Sequence, residues 1–214
     1  MKVLITAGPT YEPIDPIRFI GNHSSGKMGI AIAEEFAKLG NEVTLVKGVT
    51  NLNPVNHIIT QIKVRTAAEM FAACMQYFST ADVIVFAAAV ADYTPKFPSV
   101  TKIKKKENEF TIELIKTKDI AAELSKQKKD NQVTVGFALE TDNEEENAKI
   151  KLKQKNFDFI VLNSMRDGGA GFQTDTNKIT ILDKEGNVTK FDLKSKEEVA
   201  KDIVNYVSKI MNRK

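Results

Sequence analysis

Residues 2–29 read KVLITAGPTYEPIDPIRFIGNHSSGKMG, and this stretch decides the predicted fold. Lys2 to Thr6 is a short apolar run rich in β-branched residues, which is typical of a buried strand. A polar loop with three prolines follows, and Asn22 to Gly26 leads from it into a helical pattern. A helix N-terminus offers free N–H groups and the positive end of the helix dipole to an anion. Because the loop is far longer than most strand-to-helix connections, it predicts a site.

Size and composition restrict the kind of protein. The chain has 214 residues, and we expect one domain spanning residues 1–214. Its formal net charge of +3 is too small to imply nucleic acid as a partner. Cys74 is the only cysteine, which excludes a disulfide within the chain and favours a reducing, cytoplasmic compartment. No apolar run is long enough for a signal peptide or a membrane span, so we expect no membrane association.

Strands and helices alternate through the first half of the chain, which predicts parallel βαβ units with right-handed crossovers. Strands are predicted at 2–6, 43–46, 57–64 and 82–86. One helix is predicted from Ser25 to Leu39, and another opens at the capping box Thr66 to Glu69. We therefore expect an α/β fold with a Rossmann-like, doubly wound, mostly parallel sheet.

The second half of the chain is expected to add a flap and a C-terminal β-hairpin to this sheet. The flap, residues 94–106, has two prolines and five lysines and no clear period. Further strands are predicted at 110–115, 133–139 and 159–162, with helices at 119–124 and 144–155. A flexible loop at 167–171 precedes a hairpin with strands at 178–182 and 188–191. The capping box Ser195 to Glu198 opens the last helix.

The expected position of the site follows from the expected sheet. In a doubly wound sheet, ligands bind beyond the carboxyl ends of the strands where the strand order reverses, commonly between the first and fourth strands. These strands end here at Ala7-Gly8 and at Ala87-Ala88-Ala89, whose small residues allow a ligand to approach the backbone closely. We expect the loop after Gly8, the segment Asn22 to Lys27 and the segment Phe86 to Asp92 to face one cavity.

The fold alone suggests a dinucleotide oxidoreductase, but the sequence lacks the motifs of that class. Gly8-Pro9-Thr10 does not match G-x-G-x-x-G, and no acid follows the second strand to hold a ribose hydroxyl. The segment Ser24 to Lys27 also lacks the spacing of a Walker A motif. A nicotinamide-dependent oxidoreductase and a non-catalytic nucleotide sensor stay open as alternative functions.

Several other groups have a structural interpretation beside the functional one. The basic run 102–106 has three interpretations: a solvated loop, a patch that binds nucleic acid, or a flap that covers a polyphosphate. In the third, its lysines would neutralise the negative charge that develops on a phosphate. Lys151 and Lys155 lie one helical turn apart on one face of a predicted helix, as two lysines that bind one phosphate group would. The alternative is that they only solvate the C-terminal end of the helix. Cys74 is expected in the core, and no cluster of His, Cys and carboxylates has metal-site spacing.

A set of motifs, taken in order along the chain, resembles one known family. These motifs are ITAGPT at 5–10, EPIDPIRFI at 12–20, NHSSGKMG at 22–29, AAAVADY at 87–93, KIKK at 102–105, VGFALET at 135–141 and GF..D.N at 171–177. The family is phosphopantothenoylcysteine synthetase, also called phosphopantothenate–cysteine ligase. The resemblance covers nearly the whole chain.

The resemblance implies an enzyme of coenzyme A biosynthesis that joins 4′-phosphopantothenate to L-cysteine in two steps. A nucleoside triphosphate first converts the pantothenate carboxylate to an acyl-nucleotide and releases pyrophosphate; the cysteine amine then attacks the acyl group. The bacterial character of the motifs implies CTP with Mg²⁺, and therefore an acyl-cytidylate intermediate and CMP. The resemblance also implies a homodimer. We expect a free-standing synthetase, because the chain has no room for the flavin-dependent decarboxylase often fused to this domain.

The resemblance also implies roles for individual residues. Asn22 matches the catalytic asparagine of the family, whose neutral amide can hold the oxygens of the acyl-nucleotide without quenching the incoming amine. Lys102 matches the flap lysine, whose positive charge can stabilise the negative charge that builds up on the α-phosphate. Arg18, Asn22 and Ala89 are predicted to bind substrate, with Arg18 as a clamp for a phosphate or carboxylate. Nucleotide contacts are predicted at Gly8, Phe86, Ala87, Ala88, Asp92, Lys102, Lys118, Asp119, Ile120, Ala121, Phe137, Lys151 and Lys155.

Four residues depart from the usual pattern of the family. Tyr11 stands where Arg is common, and Gly21 replaces a usual Ser. Lys118 replaces a usual Pro, and Leu139 replaces a usual Ala. None of these changes removes a proposed catalytic group, but Lys118 and Leu139 bear on the shape of the base pocket and so on the choice of nucleotide.

Overall fold

Fourteen strands and five helices make up the part of the protein that the computed structural model describes, which is residues 1–105, 109–140, 142–164 and 174–213. Of residue 164 only the backbone is described. The strands are β1 (Lys2–Ala7), β2 (Tyr11–Pro13), β3 (Phe19–Gly21), β4 (Glu42–Lys47), β5 (Thr60–Lys63), β6 (Val83–Phe86), β7 (Tyr93–Pro95), β8 (Leu114–Lys116), β9 (Val133–Glu140), β10 (Phe159–Ser164), β11 (Thr176–Asn177), β12 (Ile179–Asp183), β13 (Val188–Lys190) and β14 (Lys194–Ser195). The helices are α1 (Lys27–Lys38), α2 (Ala67–Phe78), α3 (Ile120–Ser125), α4 (Glu144–Gln154) and α5 (Lys196–Met211).

Eight of these strands form one central sheet in the order β13-β12-β10-β9-β6-β1-β4-β5. The six strands from β10 to β5 run parallel, and β12 and β13 extend the sheet as an antiparallel hairpin. This arrangement confirms the predicted doubly wound sheet with its C-terminal hairpin. Strand β1 lies between β4 and β6, so the strand order reverses at the pair that is predicted to form the crevice.

Helices cover both faces of the sheet, because successive residues of a strand point to opposite sides. In β1, Val3 and Ile5 face a core cluster with α1 and α5, while Leu4 faces a second cluster with α2, α3 and α4. Gly29 lets α1 pack closely on the end of β1, since a Cβ at residue 29 would lie 2.6 Å from the Cβ of Ala7. The N-terminus of α1 is therefore held beside the crevice. Among the described residues, no helix combines the length and apolar character that crossing a membrane requires.

Most predicted boundaries in the central sheet and its helices agree with the structure to within two residues. Both predicted capping boxes are present, Thr66 with Glu69 at α2 and Ser195 with Glu198 at α5. The strand predicted at 57–64 is shorter in the structure, covering Thr60–Lys63, because residues 57–59 form a turn.

Two short hairpins contain three strands, β2, β3 and β7, in segments that the sequence leaves as loops. Strand β2 pairs with β3 inside the first long loop, where the rings of Tyr11 and Phe19 stack with centroids 3.8 Å apart. Strand β7 pairs with β8, and the strand predicted at 110–115 is reduced to Leu114–Lys116. Each of these strands has only three residues, which is too short to show a period in the sequence. The loop predicted at 167–171 lies outside the described residues.

Candidate active site

A cavity of about 810 Å³ lies beyond the carboxyl ends of β1, β6 and β9, at the reversal of the strand order. Its size is within the range of small-molecule sites, roughly 300–1,000 Å³. Most of the predicted site residues line it: Asn22, Phe86, Ala87, Ala88, Ala89, Asp92, Lys118, Asp119, Ile120, Ala121, Phe137, Lys151 and Lys155. The fold thus gathers into one place residues that are widely separated in the sequence.

Small residues at the ends of β1 and β6 form the floor of the cavity. The N–H of Ala89 donates to the carbonyl of Gly8 at 3.0 Å, and the N–H of Thr10 donates to the carbonyl of Ala89 at 3.3 Å. The N–H of Ala88 donates to Oγ1 of Thr6 at 3.2 Å. Gly8 adopts a left-handed backbone with φ +77° and is not among the lining residues. Gly8 therefore supports the floor from behind, and its predicted nucleotide contact stays a prediction.

Asn22 lies at the cavity with its amide held by the main chain. Its Nδ2 donates to the carbonyl of Ala89 at 3.1 Å and to the carbonyl of Val90 at 3.2 Å. This orientation follows from chemistry, because a flipped amide would set Oδ1 against two carbonyl oxygens. Both amide hydrogens are used, so Asn22 offers a ligand its oxygen. An acceptor suits the N–H of an incoming amine better than the oxygens of an acyl-nucleotide.

The N-terminus of α1 forms one wall of the cavity. Gly26 has φ +78°, and a Cβ there would lie 3.1 Å from the Cα of Gly8. The start of the helix therefore packs on the turn after β1 as closely as two glycines allow. The Oγ of Ser24 accepts from the N–H of Gly26 at 3.3 Å, and the Oγ of Ser25 accepts from the N–H of Lys27 at 3.4 Å. This wall matches the anion-binding helix end that residues 22–29 predict.

A second wall is basic and comes from the segment before α3 and from the end of α4. The Nζ of Lys151 lies 2.6 Å from Oε1 of Glu140, and the Nζ of Lys155 lies 2.9 Å from Oδ2 of Asp119. Lys118 lines the cavity beside them. Partly exposed ion pairs contribute little stability, roughly 0–1 kcal/mol, so a polyphosphate can compete for these lysines. Their place in the lining favours ligand binding over simple solvation of a helix end.

Two more lysines reach the cavity from the opposite face of the sheet. Lys27 at the start of α1 is ion-paired with Asp175, and Lys196 at the start of α5 donates to the carbonyl of Thr174 at 2.6 Å. Lys196 is only 4% exposed, and burial together with the charge of Lys27 lowers its pKa. The carboxylate of Asp175 already pairs with Lys27 and partly offsets the lowered pKa of Lys196, so a ligand anion would compete with Asp175 for these two cations. Lys27 belongs to the segment expected to face the cavity, whereas the sequence marks Lys196 only as part of a helix start.

An apolar part of the lining comes from β6, β9 and the turn after α4. The rings of Phe86 and Phe157 lie 5.8 Å apart at an angle of 35°. Gly136 makes room for this arrangement, since a Cβ there would lie 2.1 Å from the ring of Phe157. Phe137 also lines the cavity. Aromatic and small apolar surfaces of this kind suit a nucleobase or an aliphatic chain.

Arg18 and Lys102 do not line the cavity in this structure. Arg18 is ion-paired with Asp15, and its Nη2 donates to the carbonyl of Ile103 at 3.0 Å. Lys102 is exposed on the flap. Their predicted contacts with substrate and nucleotide therefore stay predictions. Lys106 at the end of the flap, like Thr141 and Gly171 of the motifs, lies outside the described residues.

Two of the departures from the family pattern explain each other. Tyr11 and Gly21 are paired in the β2–β3 hairpin. A Cβ on residue 21 would lie 2.7 Å from Cδ1 of Tyr11 and 2.9 Å from the carbonyl oxygen of Thr10. The Tyr11 ring therefore occupies the space that a side chain at residue 21 needs. The other two departures, Lys118 and Leu139, both line the cavity.

Comparison with known proteins relates the chain to one family. The model described as the DNA/pantothenate metabolism flavoprotein C-terminal domain matches residues 1–211. A Bacillus subtilis (strain 168) protein, coenzyme A biosynthesis bifunctional protein CoaBC, is 43% identical over 206 residues, 96% of this chain and 50% of that protein. A protein of an unknown prokaryotic organism, named cysteine/cysteine sulfinic acid decarboxylase, is 56% identical over 206 residues, 96% of this chain and 57% of that protein. The chain thus spans about half the length of the curated relatives it matches.

A solved structure agrees with the fold described above. The crystal structure of the C-terminal domain of the coenzyme A biosynthesis bifunctional protein CoaBC has a TM-score of 0.85 and 42% sequence identity. The alignment covers 100% of this chain and 96% of that one. The predicted Rossmann-like α/β fold is confirmed, and the similarity falls on the domain whose motifs the sequence resembles.

Proposed function

Because this chain belongs to the family of the DNA/pantothenate metabolism flavoprotein C-terminal domain, we propose that it joins 4′-phosphopantothenate to L-cysteine with a nucleoside triphosphate as co-substrate. One observation carries the proposal: a single cavity in which Asn22, a floor of small residues and lysines from both faces of the sheet meet. Two separate basic regions suit two separate anions. We assign Lys118, Lys151 and Lys155 to the polyphosphate, and Lys27 and Lys196 to the phosphate of phosphopantothenate.

In the first proposed step, a carboxylate oxygen of phosphopantothenate attacks the α-phosphorus of the triphosphate, and pyrophosphate leaves. Negative charge builds up on the α-phosphate and on the leaving group. The basic wall, Lys118, Lys151 and Lys155, stabilises this charge once the bound triphosphate has displaced Glu140 from Lys151 and Asp119 from Lys155, because the cations then already lie where the charge develops. We propose that Lys102, which is exposed on the flap and does not line the cavity here, adds a further positive charge when the nucleotide is bound.

In the second proposed step, the amine nitrogen of cysteine attacks the acyl carbon, an amide bond forms, and the nucleoside monophosphate leaves. The amine loses one proton to solvent. The oxygen of Asn22 accepts another N–H of the amine and so aims its lone pair at the acyl carbon, which is a positioning effect. A neutral amide is suited to this role because it does not protonate the nucleophile.

The proposal includes Mg²⁺ bound to the triphosphate. Mg²⁺ takes oxygen ligands and is commonly held by one or two carboxylates together with substrate phosphates. Across the described ranges no group of three or more His, Cys, Asp and Glu side chains could hold a metal, while Asp92 and Asp119 line the cavity. These residues fit an ion that arrives with the nucleotide and adds positive charge at its phosphates. The preference for CTP and the cytoplasmic location stay predictions.

We also propose a homodimer, as the resemblance implies. The β2–β3 hairpin and the flap lie side by side, with the N–H of Ser99 donating to the carbonyl of Ile14 at 2.9 Å. Large apolar side chains are exposed here, notably Phe97 at 76% and Val100 at 92%. Exposed apolar patches often mark protein interfaces. Size-exclusion chromatography with light scattering should give twice the chain mass of 23.8 kDa, and Val100→Asp should lower it towards one chain. A wild-type protein with the mass of one chain would refute the dimer.

Pyrophosphate release tests the ligase proposal. The protein is supplied with phosphopantothenate and Mg²⁺, with CTP and ATP in parallel, and with or without cysteine. We expect pyrophosphate with CTP, and product with free CMP once cysteine is added. Lys155→Gln should raise the KM for CTP about tenfold, equivalent to about 1.4 kcal/mol. Lys38→Gln is the matched control, because Lys38 forms a surface pair with Glu35 at the far end of α1.

Other outcomes distinguish the alternatives. Release with ATP alone would keep the reaction but contradict the predicted nucleotide. Protection against thermal unfolding by a nicotinamide cofactor, and not by CTP, would favour the oxidoreductase. Protection by CTP without any turnover would favour the nucleotide sensor. Carbon dioxide release from cysteine without nucleotide would favour the activity in the name of the decarboxylase relative.

A further inference from the structure

Asp15, in the turn between β2 and β3, is a buried carboxylate with an unusual number of donors. It is 1% exposed. Its Oδ1 accepts from the N–H of Ile17 at 2.9 Å and from the N–H of Arg18 at 2.8 Å. Its Oδ2 accepts from Nε of Arg18 at 3.0 Å and from Nη2 of the same side chain. Four of its hydrogen bonds therefore close the turn itself.

A fifth hydrogen bond leaves the turn and reaches the flap. The N–H of Ile103 donates to Oδ2 of Asp15 at 3.1 Å, across 88 residues of sequence. Arg18 completes the contact, since its Nη2 donates to the carbonyl of Ile103 at 3.0 Å. The ion pair thus holds both main-chain groups of one flap residue, as a neighbouring strand would. The N–H of Ser99 adds a main-chain hydrogen bond to the carbonyl of Ile14 at 2.9 Å.

This contact joins the two segments that carry the proposed catalytic groups. Ile103 directly follows Lys102, and Asp15 belongs to the loop that leads to Asn22. We propose that Asp15, together with Arg18, is a positioning pair that anchors the flap and so fixes Lys102 relative to Asn22. This inference rests on the proposed ligase function, in which Lys102 acts on the phosphates.

The electrostatics of the pair support this role. The hydrogen bonds from the side chain of Arg18 outweigh burial, and with the backbone donors of Ile17, Arg18 and Ile103 they hold the pKa of Asp15 well below its usual range. The carboxylate is therefore charged at every working pH. A charged acceptor forms stronger hydrogen bonds than a neutral one, which suits an anchor for an otherwise exposed loop. Arg18 is accordingly a structural partner of the flap in this chain, besides any contact with substrate.

Asp15→Asn is the variant that tests the anchor. An asparagine keeps the shape of the side chain but turns one oxygen into an NH₂ group that faces the donors of Arg18 and Ile103. Glu12→Gln is the matched control: Glu12 is a buried carboxylate on β2, 3% exposed, and it accepts from the N–H of Ala67 at 2.8 Å instead of from the flap. Ile103→Pro is a second test, because it removes the flap N–H that Asp15 binds and leaves the turn at 14–18 intact. The proline ring also restricts the backbone of residues 102 and 103, so in this variant the cleavage rate is the deciding measurement.

Two measurements are made on each variant. The first is the rate of tryptic cleavage after the exposed residues Lys104 and Lys105, which reports flap anchoring without needing activity. The second is turnover with phosphopantothenate, CTP and cysteine. For Asp15→Asn and Ile103→Pro we expect cleavage about tenfold faster and kcat about tenfold lower, with the KM for phosphopantothenate within about twofold of wild type. Glu12→Gln should match wild type in both.

The outcomes separate this inference from the proposed function. Unchanged cleavage in both Asp15→Asn and Ile103→Pro would refute the anchor. Faster cleavage with unchanged kcat would refute the positioning of Lys102. A lower kcat in Glu12→Gln as well would make the effect a general one of the hairpin and overturn the assignment to Asp15. If the wild-type protein has no turnover with any nucleotide, the ligase function is refuted, and with it the role of Asp15 in positioning Lys102 for that reaction. The cleavage rates would still show whether Asp15 anchors the flap.

Discussion

Asn22→Asp is the substitution for which the structure gives the sharpest expectation. The amide of Asn22 donates to two carbonyls, those of Ala89 and Val90, at 3.1 and 3.2 Å. An aspartate has the same shape but no hydrogen to donate, so two attractive contacts become two contacts between oxygens. The new negative charge also faces the region assigned to an acyl-nucleotide. The rim of the cavity should therefore loosen while the fold is kept.

The size of the effect follows from the two lost hydrogen bonds. Each contributes about 0.5–1.5 kcal/mol net, so together they account for about 1–3 kcal/mol. If the transition state feels all of this loss, kcat falls about 5- to 150-fold, and the added charge lowers it further. A chain of this length loses roughly 2–4 °C in Tm for each kcal/mol, so Tm should fall by at most about 12 °C. Since Asn22 is exposed, we expect the lower half of that range.

The assay is the cysteine-dependent formation of product with CTP, with Tm measured on the same samples. Asn22→Ala adds no charge, but it removes both hydrogen bonds together with the oxygen proposed to accept from the amine, so a smaller loss of turnover in Asn22→Ala than in Asn22→Asp would assign the difference to the added charge. His23→Gln is the matched control, because His23 is an exposed neighbour that does not line the cavity. Turnover of Asn22→Asp within about twofold of wild type would refute the role given to this amide.

Three further predictions concern packing and pH. Gly21→Ser should lower Tm by a few degrees, because its Cβ would lie 2.7 Å from the Tyr11 ring. Adding Tyr11→Arg should restore part of that loss. If the Tm changes of the two single variants simply add in the double variant, the two positions are not coupled. Gly136→Ala should lower the free energy of unfolding, measured by denaturant titration, by about 1–3 kcal/mol, because its Cβ would displace the ring of Phe157. The displaced ring should move into the cavity and weaken CTP binding, and unchanged binding would contradict that movement. At Asp158, hydrogen bonds from lysine and main-chain donors overcome the effect of burial and lower the pKa to about 2 from 3.8. Because the folded pKa is the lower one, this carboxylate should stabilise the fold by about 2 kcal/mol above pH 4 and lose that contribution as pH falls towards 2. Asp158→Asn should flatten this acid limb of the stability curve, and an unchanged limb would contradict the assignment.

The sequence by itself determined the central sheet, its helices and the side of the sheet that carries the site. Strands such as Lys2–Ala7 are visible because an apolar run is a local pattern, and helices such as Lys196–Met211 because a capping box and a 3.6-residue period are local too. The position of the crevice follows from the topology, since parallel strands present their carboxyl ends at one edge. The family motifs then indicated most of the residues that line the cavity.

Only the tertiary structure decided the contacts between distant segments. The anchor between Asp15 and Ile103 spans 88 residues, and Lys196 enters the cavity because α5 packs on the same face of the sheet as α1. The orientation of the Asn22 amide depends on where the chain runs after β6, and the need for glycine at residue 21 depends on the Tyr11 ring. A local pattern records which face of an element is buried. It holds no information about which distant residue lies opposite, because that depends on how the whole chain packs.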